Sequence, residues 1–299
     1  MNILHTVHNR LAIAALLFSS SLWGIIWYPL RWLDEAGMSA VWSSLVMYLA
    51  AGALALPFLF KKNIFNSDNY WDLMFLAIAA GITNVAFLVA LTEGEVMRVM
   101  LLFYMSPVWS VLLSRWWLKE QLYSSAIAML AIAMTGSLVM LWDTSIGWPW
   151  PQGLADWLAI TASIAFSVNN VLARKLAGVS MAAKIGVIWW GVVIASIIIL
   201  VWQQAPVPVV TYNVWIVAGL VGILGIVIMT VTVLYGIARM PIYHSSVIML
   251  FELVVAAVAA WALTNEVMSL QEWLGGGLIM LAAYGVAKSE ASPDTITHK

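Results

Sequence analysis

The chain contains no cysteine, so disulfides and thiolate metal sites are excluded, and redox chemistry says nothing about compartment. Charge is scarce too: Asp, Glu, Lys and Arg make up 9% of 299 residues, with a net charge of −1. That balance gives no basic surface for nucleic acid. No P-loop pattern occurs, so direct drive by ATP is not expected. No His-Glu-x-x-His or comparable ligand set is present, and His5 and His8 stand in the N-terminal tail. No intramembrane His or Asp accompanies the serines, so an enzyme is a poor fit, and neither a metal nor a cofactor is expected.

What the chain has instead is apolar length. Hydrophobic residues make up 64% and the mean hydropathy is +0.96. The apolar character falls into ten runs, at 11–31, 38–60, 70–91, 96–117, 122–142, 153–174, 182–204, 213–237, 243–264 and 270–288. A bilayer core about 30 Å thick takes roughly 20 residues of helix to cross. The runs are continuous rather than alternating, and only a helix or a closed barrel satisfies its own backbone in lipid, so they read as transmembrane helices. The first run is too long for a signal-peptide core and lacks a clean small-residue cleavage site, so it reads as a span.

Cations set the expected orientation. With the N-terminus inside, the cytoplasmic segments hold Arg10, Lys61, Lys62, Arg115, Lys119, Arg174, Lys175, Lys184, Arg239, Lys288 and Lys299, and the outer side only Arg31 and Arg98. The positive-inside rule then places both termini, including the 289–299 tail, in the cytoplasm. Trp32, Trp71, Trp116, Trp117, Trp142, Trp157, Trp202, Trp215 and Trp273 sit at run ends, as an interfacial aromatic belt does.

The chain also repeats itself. Ser106-Pro107-Val108-Trp109 is followed by Glu120, and Glu252-Leu253-Val254-Val255 by Glu266; Pro107 and Leu253, and Glu120 and Glu266, stand 146 apart. The same offset pairs Leu88 with Leu234, Leu91 with Ile237 and Asn84 with Thr230. An offset of 143 pairs Trp23 with Phe166, Arg31 with Arg174 and Met38 with Met181. Each half, 11–142 and 153–288, holds five runs. Five is odd, so the second half enters the membrane inverted relative to the first. The expected fold is all-α: ten transmembrane helices as two inverted five-helix repeats, an architecture of secondary transporters with the substrate between the repeats.

Leu22-Trp23-Gly24 in the first run, the string Ser106 to Leu113 running on to Trp116-Trp117-Leu118-Lys119-Glu120, and the second copy at Phe251-Glu252-Leu253 and Glu266 resemble the EamA-type drug/metabolite transporters. The similarity covers about residues 11–288. It implies a ten-helix bundle in the cytoplasmic membrane that moves amino acids, metabolites or drugs, often outward. Leu253 departs from the pattern, which has proline there. A lipid or lipid-linked metabolite flippase, or a channel-like facilitator on the same fold, is the alternative.

Several residues inside the runs need a reason. Glu252 lies near the middle of its run, where an ionised carboxylate is costly. It should be protonated, hydrogen-bonded or facing a water-filled cavity, as a proton-coupling site, a counterion for a substrate amine, or a neutral acid tying two helices. Ser163, Phe166, Asn170 and Arg174 share one helix face, which the repeat matches to Ser20, Trp23, Trp27 and Arg31. Trp23, Trp27, Phe166 and Asn170 therefore read as substrate-binding candidates, with interhelical bonding as the alternative. Asn84 joins them on the same two readings. Pro107 should kink the fourth helix, free the Phe103 carbonyl and act in gating, with Tyr104 beside the opening. His244 is a second proton-coupling candidate, histidine being the residue type that most readily exchanges a proton near neutral pH. Arg98 is expected to snorkel to the headgroups. Gly219, Gly222, Gly225 and Gly275-Gly276-Gly277 read as close-packing surfaces or a homodimer contact. The partners expected are thus a small organic solute and the lipid bilayer.

Overall fold

A computed structural model describes residues 2–59, 69–143, 150–264 and 267–291, with side chains described over 9–57, 69–143, 150–264 and 267–289. Glu266, Lys61, Lys62, Lys299, most of the 143–152 connection and the end of the C-terminal tail lie outside the described residues. Everything long is helical. The helices are α1 (Asn2–Ile25, continuing as Trp27–Glu35), α2 (Ala40–Leu59), α3 (Tyr70–Glu93), α4 (Val96–Leu118), α5 (Ser124–Leu141), α6 (Leu154–Lys175), α7 (Met181–Trp202), α8 (Tyr212–Ile237), α9 (Ile242–Leu263) and α10 (Leu270–Ala291). Among the described residues, eight are long and apolar enough to cross a membrane: α1 to α5 and α7 to α9.

The other two, α6 and α10, have 22 residues each, so length does not limit them. Their composition does. Helix α6 carries Asp156, Asn169, Asn170, Arg174 and Lys175, and α10 carries Gln271, Glu272, Lys288 and three consecutive glycines. Asp156 and Asn170 are buried in the bundle, whereas Lys175, Gln271 and Lys288 are exposed at helix ends.

Lipid removes the hydrophobic drive between helices, so association depends on close contact and on interhelical hydrogen bonds. Helix α3 packs against α6 and α7, α8 against α1 and α2, α2 against α7, α5 against α10, α1 against α9, and α4 against α6. Glycine makes the closest of these approaches possible. A Cβ on Gly136 of α5 would lie 2.7 Å from the Gly275 carbonyl of α10, and one on Gly24 of α1 only 2.6 Å from the Glu252 carbonyl of α9. Gly222 likewise presses on Met47 of α2, whereas Gly219 and Gly277 have nothing within 4 Å. Outside, Phe18, Leu54, Phe75, Ile198 and Leu224 are exposed, as a lipid-facing surface requires. So are Trp32, Trp71, Trp116, Trp157, Trp202 and Trp273 near helix ends.

Among the described residues three helices are interrupted by turns, and α8 passes through a π segment at Val221–Ile226. Helix α1 breaks at Ile26, where Pro29 removes the hydrogen bond to the Ile25 carbonyl. Helix α4 runs Val96–Phe103, turns at Tyr104-Met105, resumes as Ser106–Leu113 and ends in a π turn, Ser114–Leu118. Pro107 therefore does not kink a continuous helix. It stands in the first turn of a new segment, where its missing N–H costs nothing. Helix α9 breaks at Leu250, which is 146 residues after Tyr104, with no proline to cause it. There the Leu253 N–H reaches back only three residues, 3.1 Å to the Leu250 carbonyl. The close seat of α1 at Gly24 is the tertiary contact at this point.

Candidate functional site

The two breaks face each other. Between them and α6 lies a cavity of about 20 Å³, room for a water molecule but not for a metabolite. Its lining comes from both segments of α4 (Phe103, Tyr104, Ser106, Pro107, Ser110), from α6 (Phe166, Asn170) and from both segments of α9 (Ser246, Met249, Leu250, Glu252). The interruption of α4 points Tyr104 at α9, and its hydroxyl donates to the Glu252 carboxyl. Glu252 is the one charged residue in the lining. On α6, Ser167 Oγ donates to the Ser106 carbonyl at 2.8 Å, pinning the restarted segment of α4 in place. Phe166 packs on Phe103, with ring centroids 5.6 Å apart, and Phe103 packs on Phe87 of α3 at 4.4 Å. The site is thus a polar pocket with an aromatic wall.

Five of the residues singled out from the sequence meet here: Tyr104, Pro107, Phe166, Asn170 and Glu252. The others lie elsewhere. Trp23 packs against the hydrophobic core, and Trp27 lies edge-on to Tyr28 at 5.7 Å. Asn84 is held between α2 and α3, accepting from Ser44 Oγ at 2.7 Å and bonding Tyr48. Its repeat counterpart Thr230 receives Trp189 Nε1 at 3.1 Å, a bond between α7 and α8. Both polar groups tie helices together. Sequence reasoning passed over Ser106, Ser110 and Ser246; the first two carried a signal, being four apart and so on one face of α4.

About one helical turn beyond the cavity, toward one face, lies a second polar cluster. The π turn of α4 ends at Lys119, whose left-handed φ of 55° folds the chain back so that the Glu120 N–H bonds the Ser114 carbonyl at 3.3 Å. The Glu120 carboxylate then accepts the Ile242 N–H at the start of α9, at 3.0 Å, and bonds the Ser114 hydroxyl. Its other oxygen lies 3.7 Å from Arg174 Nε at the end of α6. Arg174 Nη1 donates in turn to the Ala238 carbonyl and, at 3.5 Å, to the Ile237 carbonyl, where α8 ends. An anion at a helix start and a cation at a helix end both match the helix dipole. Burial pushes the Glu120 carboxyl above the usual carboxylate range, while the Ile242 N–H, Arg174, Ser114 and His244 pull it back. His244 sits beside this cluster against Tyr243, ring centroids 4.3 Å apart, and not in the cavity.

At the opposite face the expectation for Arg98 fails. Instead of snorkelling it is buried, 3.8 Å from Asp156 and 3.6 Å from Glu95, beside a cavity of about 600 Å³. Asp156 is itself buried and accepts the Gln152 N–H at 2.8 Å, so the guanidinium has a fixed anionic neighbour inside the bundle. Among the described residues no group of three His, Cys, Asp or Glu side chains could hold a metal ion.

Membrane-length helices enclosing a water-sized polar pocket between two broken segments define a multi-pass membrane protein with an intramembrane polar site. The chain belongs to the EamA-like transporter family, whose model matches residues 10–142 and 153–288. It is therefore a membrane transporter of small solutes in class. No curated protein sequence matches it. Among solved structures, one described only as a crystal structure of a protein is similar over 96% of this chain and 99% of its own, with a TM-score of 0.78 at 15% identity, which shows a shared fold.

Proposed function

We propose that the protein is a secondary transporter that carries small organic solutes outward across the cytoplasmic membrane by alternating access. In this reading ten helices span the bilayer as two inverted five-helix repeats, with both termini in the cytoplasm and Glu252 as the proton-coupling group. The observation that carries it is the meeting of two broken helices at one intramembrane carboxylate. The α4 and α9 interruptions, at Tyr104 and Leu250, flank a pocket whose only charged group is Glu252. Broken helices at mid-membrane are where transporters bind solutes.

The packing supports the repeat. Exchanging each helix for the one five later turns α3–α6 into α8–α1, α3–α7 into α8–α2 and α4–α6 into α9–α1, and leaves α2–α7 and α5–α10 unchanged. Every one of these pairs is in contact. In this reading the face that carries the Glu120–Arg174 pair, together with Lys175 and Arg239, is the cytoplasmic one, in line with the cation partition.

The lining also argues for a solute class. One carboxylate, the Tyr104 hydroxyl, the Asn170 amide and three serines stand against an aromatic wall, with no Lys, Arg or His to meet an anion. Such a set suits an organic amine with an apolar body better than an organic acid. Trp23, Trp27 and Asn84 enter this reading only as residues that the solute meets once the bundle opens. The experiment is a flux screen in proteoliposomes across amines, amino acids and organic anions. Saturable amine movement is the expected result; lipid scrambling with no solute flux would turn the reading to a flippase.

A further inference from the structure

The Glu120 cluster ties together the very helices that line the cavity. Glu120 extends from α4, Arg174 from α6 and the Ile242 N–H from α9, and Arg174 adds the end of α8. Each anchor lies close to a cavity residue on its own helix: Asn170 is one turn from Arg174, Ser246 one turn from Ile242, and Ser110 one turn from Ser114, which bonds Glu120. The pair is sheltered, with side-chain exposures of 26% for Arg174 and 14% for Glu120.

The repeat supplies a comparison at the other face. The counterpart of Arg174, 143 residues earlier, is Arg31. It makes no such tie: it bonds Glu35 on its own helix at 3.1 Å, and the two side chains are 58% and 65% exposed. The counterparts of Ile237 and Ala238, 146 residues earlier, are Leu91 and Thr92, at the end of α3. The repeat-related arginines therefore differ: Arg174 is latched at its face and Arg31 is not, while α4 and α6 are joined at the Arg31 face by a different pair, Arg98 and Asp156, 3.8 Å apart.

We infer that Glu120 and Arg174 form the cytoplasmic latch of the transport cycle, and that in the opposite state this latch releases while Arg31 takes the carbonyls of Leu91 and Thr92. This inference rests on the alternating-access reading above. The latch residues act by position, holding four helix ends shut beneath the cavity, and touch no solute themselves. Release costs the ion pair and the capped N–H. Engagement of Arg31 supplies the equivalent charge-to-carbonyl bonds at the other face, so the two states can lie close in free energy.

The absence of native cysteine makes the test direct. Ser246→Cys places a single thiol in the cavity, to be labelled with a membrane-impermeant maleimide from each face of oriented vesicles. Glu120→Gln, which removes the charge of the ion pair, and Arg174→Gln, which also removes the charged donor to the Ala238 carbonyl, should each raise labelling from the cytoplasmic face by about tenfold, as expected for loss of a sheltered charge interaction. Labelling from the outer face should fall in the same variants. Arg31→Gln should shift both rates the other way. Glu120→Gln retains an acceptor for the Ile242 N–H, so it reports on the latch even if Arg174→Gln fails to accumulate. A purely structural role would raise labelling from both faces together. That result, or unchanged labelling in folded Glu120→Gln protein, overturns the latch. Reciprocal labelling without flux of any solute would overturn the transporter reading and leave the latch standing.

Discussion

Glu252 sits where a charge is least comfortable, and the molecule answers with one hydroxyl and a pocket the size of a water. The Tyr104 bond accounts for part of the carboxyl's hydrogen-bonding capacity, and interhelical bonds of this type are worth about 0.6–2 kcal/mol. That would suffice for a neutral acid acting as a tie, so burial alone does not separate tie from coupling site. Glu252→Gln does. It keeps the shape and an acceptor for Tyr104 while removing the ionisable proton. Solute counterflow at equal pH on both sides should survive in this variant, and accumulation driven by a pH gradient should disappear. Gradient-driven transport that persists unchanged would move the coupling role elsewhere, with His244 the next residue to replace. Loss of counterflow together with poor accumulation of the protein would assign the carboxyl to holding α4 and α9 together.

At the scale of elements, the instructive pair is α4 and α9. Proline explains the first break in local terms, since Pro107 has no N–H to donate and its ring collides with the Phe103 carbonyl in a continuous helix. The second break occurs at the matching position with Leu253 in that place, so proline is sufficient but not required. What the two sites share is their setting: each break faces the other across the cavity, and on α9 the backbone is also met by Gly24 of α1. If α9 is already interrupted, proline should be tolerated where it would ordinarily cost about 3 kcal/mol or more. Leu253→Pro should therefore accumulate as folded, monodisperse protein in detergent, while Val192→Pro, in the unbroken α7, should not. Size-exclusion profiles and thermal melts read the difference, and equal collapse of both variants would show that the Leu253 N–H bond is needed.

For the whole molecule, the repeat and the cation partition lead to one topology. With the Glu120 face inside, cysteines at Lys119 and Gln203 must lie on opposite sides of the membrane. In the cysteine-free chain an impermeant reagent applied to intact cells should label Gln203→Cys and leave Lys119→Cys untouched until the membrane is opened. The reverse pattern would invert the molecule, and with it the sidedness of the latch.

Much of this protein is decided one run at a time. Whether a segment prefers lipid depends on its own side chains, so the apolar runs, the helix-end tryptophans and the repeat were all legible along the chain. Periodicity also identified the Ser163–Phe166–Asn170 face of α6, because a helix puts residues three and four apart on one side. Periodicity says which residues share a face but not which neighbour covers it. Asn84 and Asn170 look alike in sequence. The first is consumed by Ser44 and Tyr48 on the adjacent helix α2, and the second reaches a cavity. Trp23 and Trp27 match Phe166 and Asn170 residue for residue, yet α1 seats against α9 at Gly24 and against α8 at Gly236, and its tryptophans lie outside the pocket lining. The break in α9, the burial of Arg98 by Asp156 and the joining of Glu120 to Arg174 are likewise products of contact between distant segments. Sequence determined what each helix is and how the halves correspond. Only tertiary packing could decide which polar groups are spent on one another and which are left facing a cavity, because that depends on partners far away along the chain.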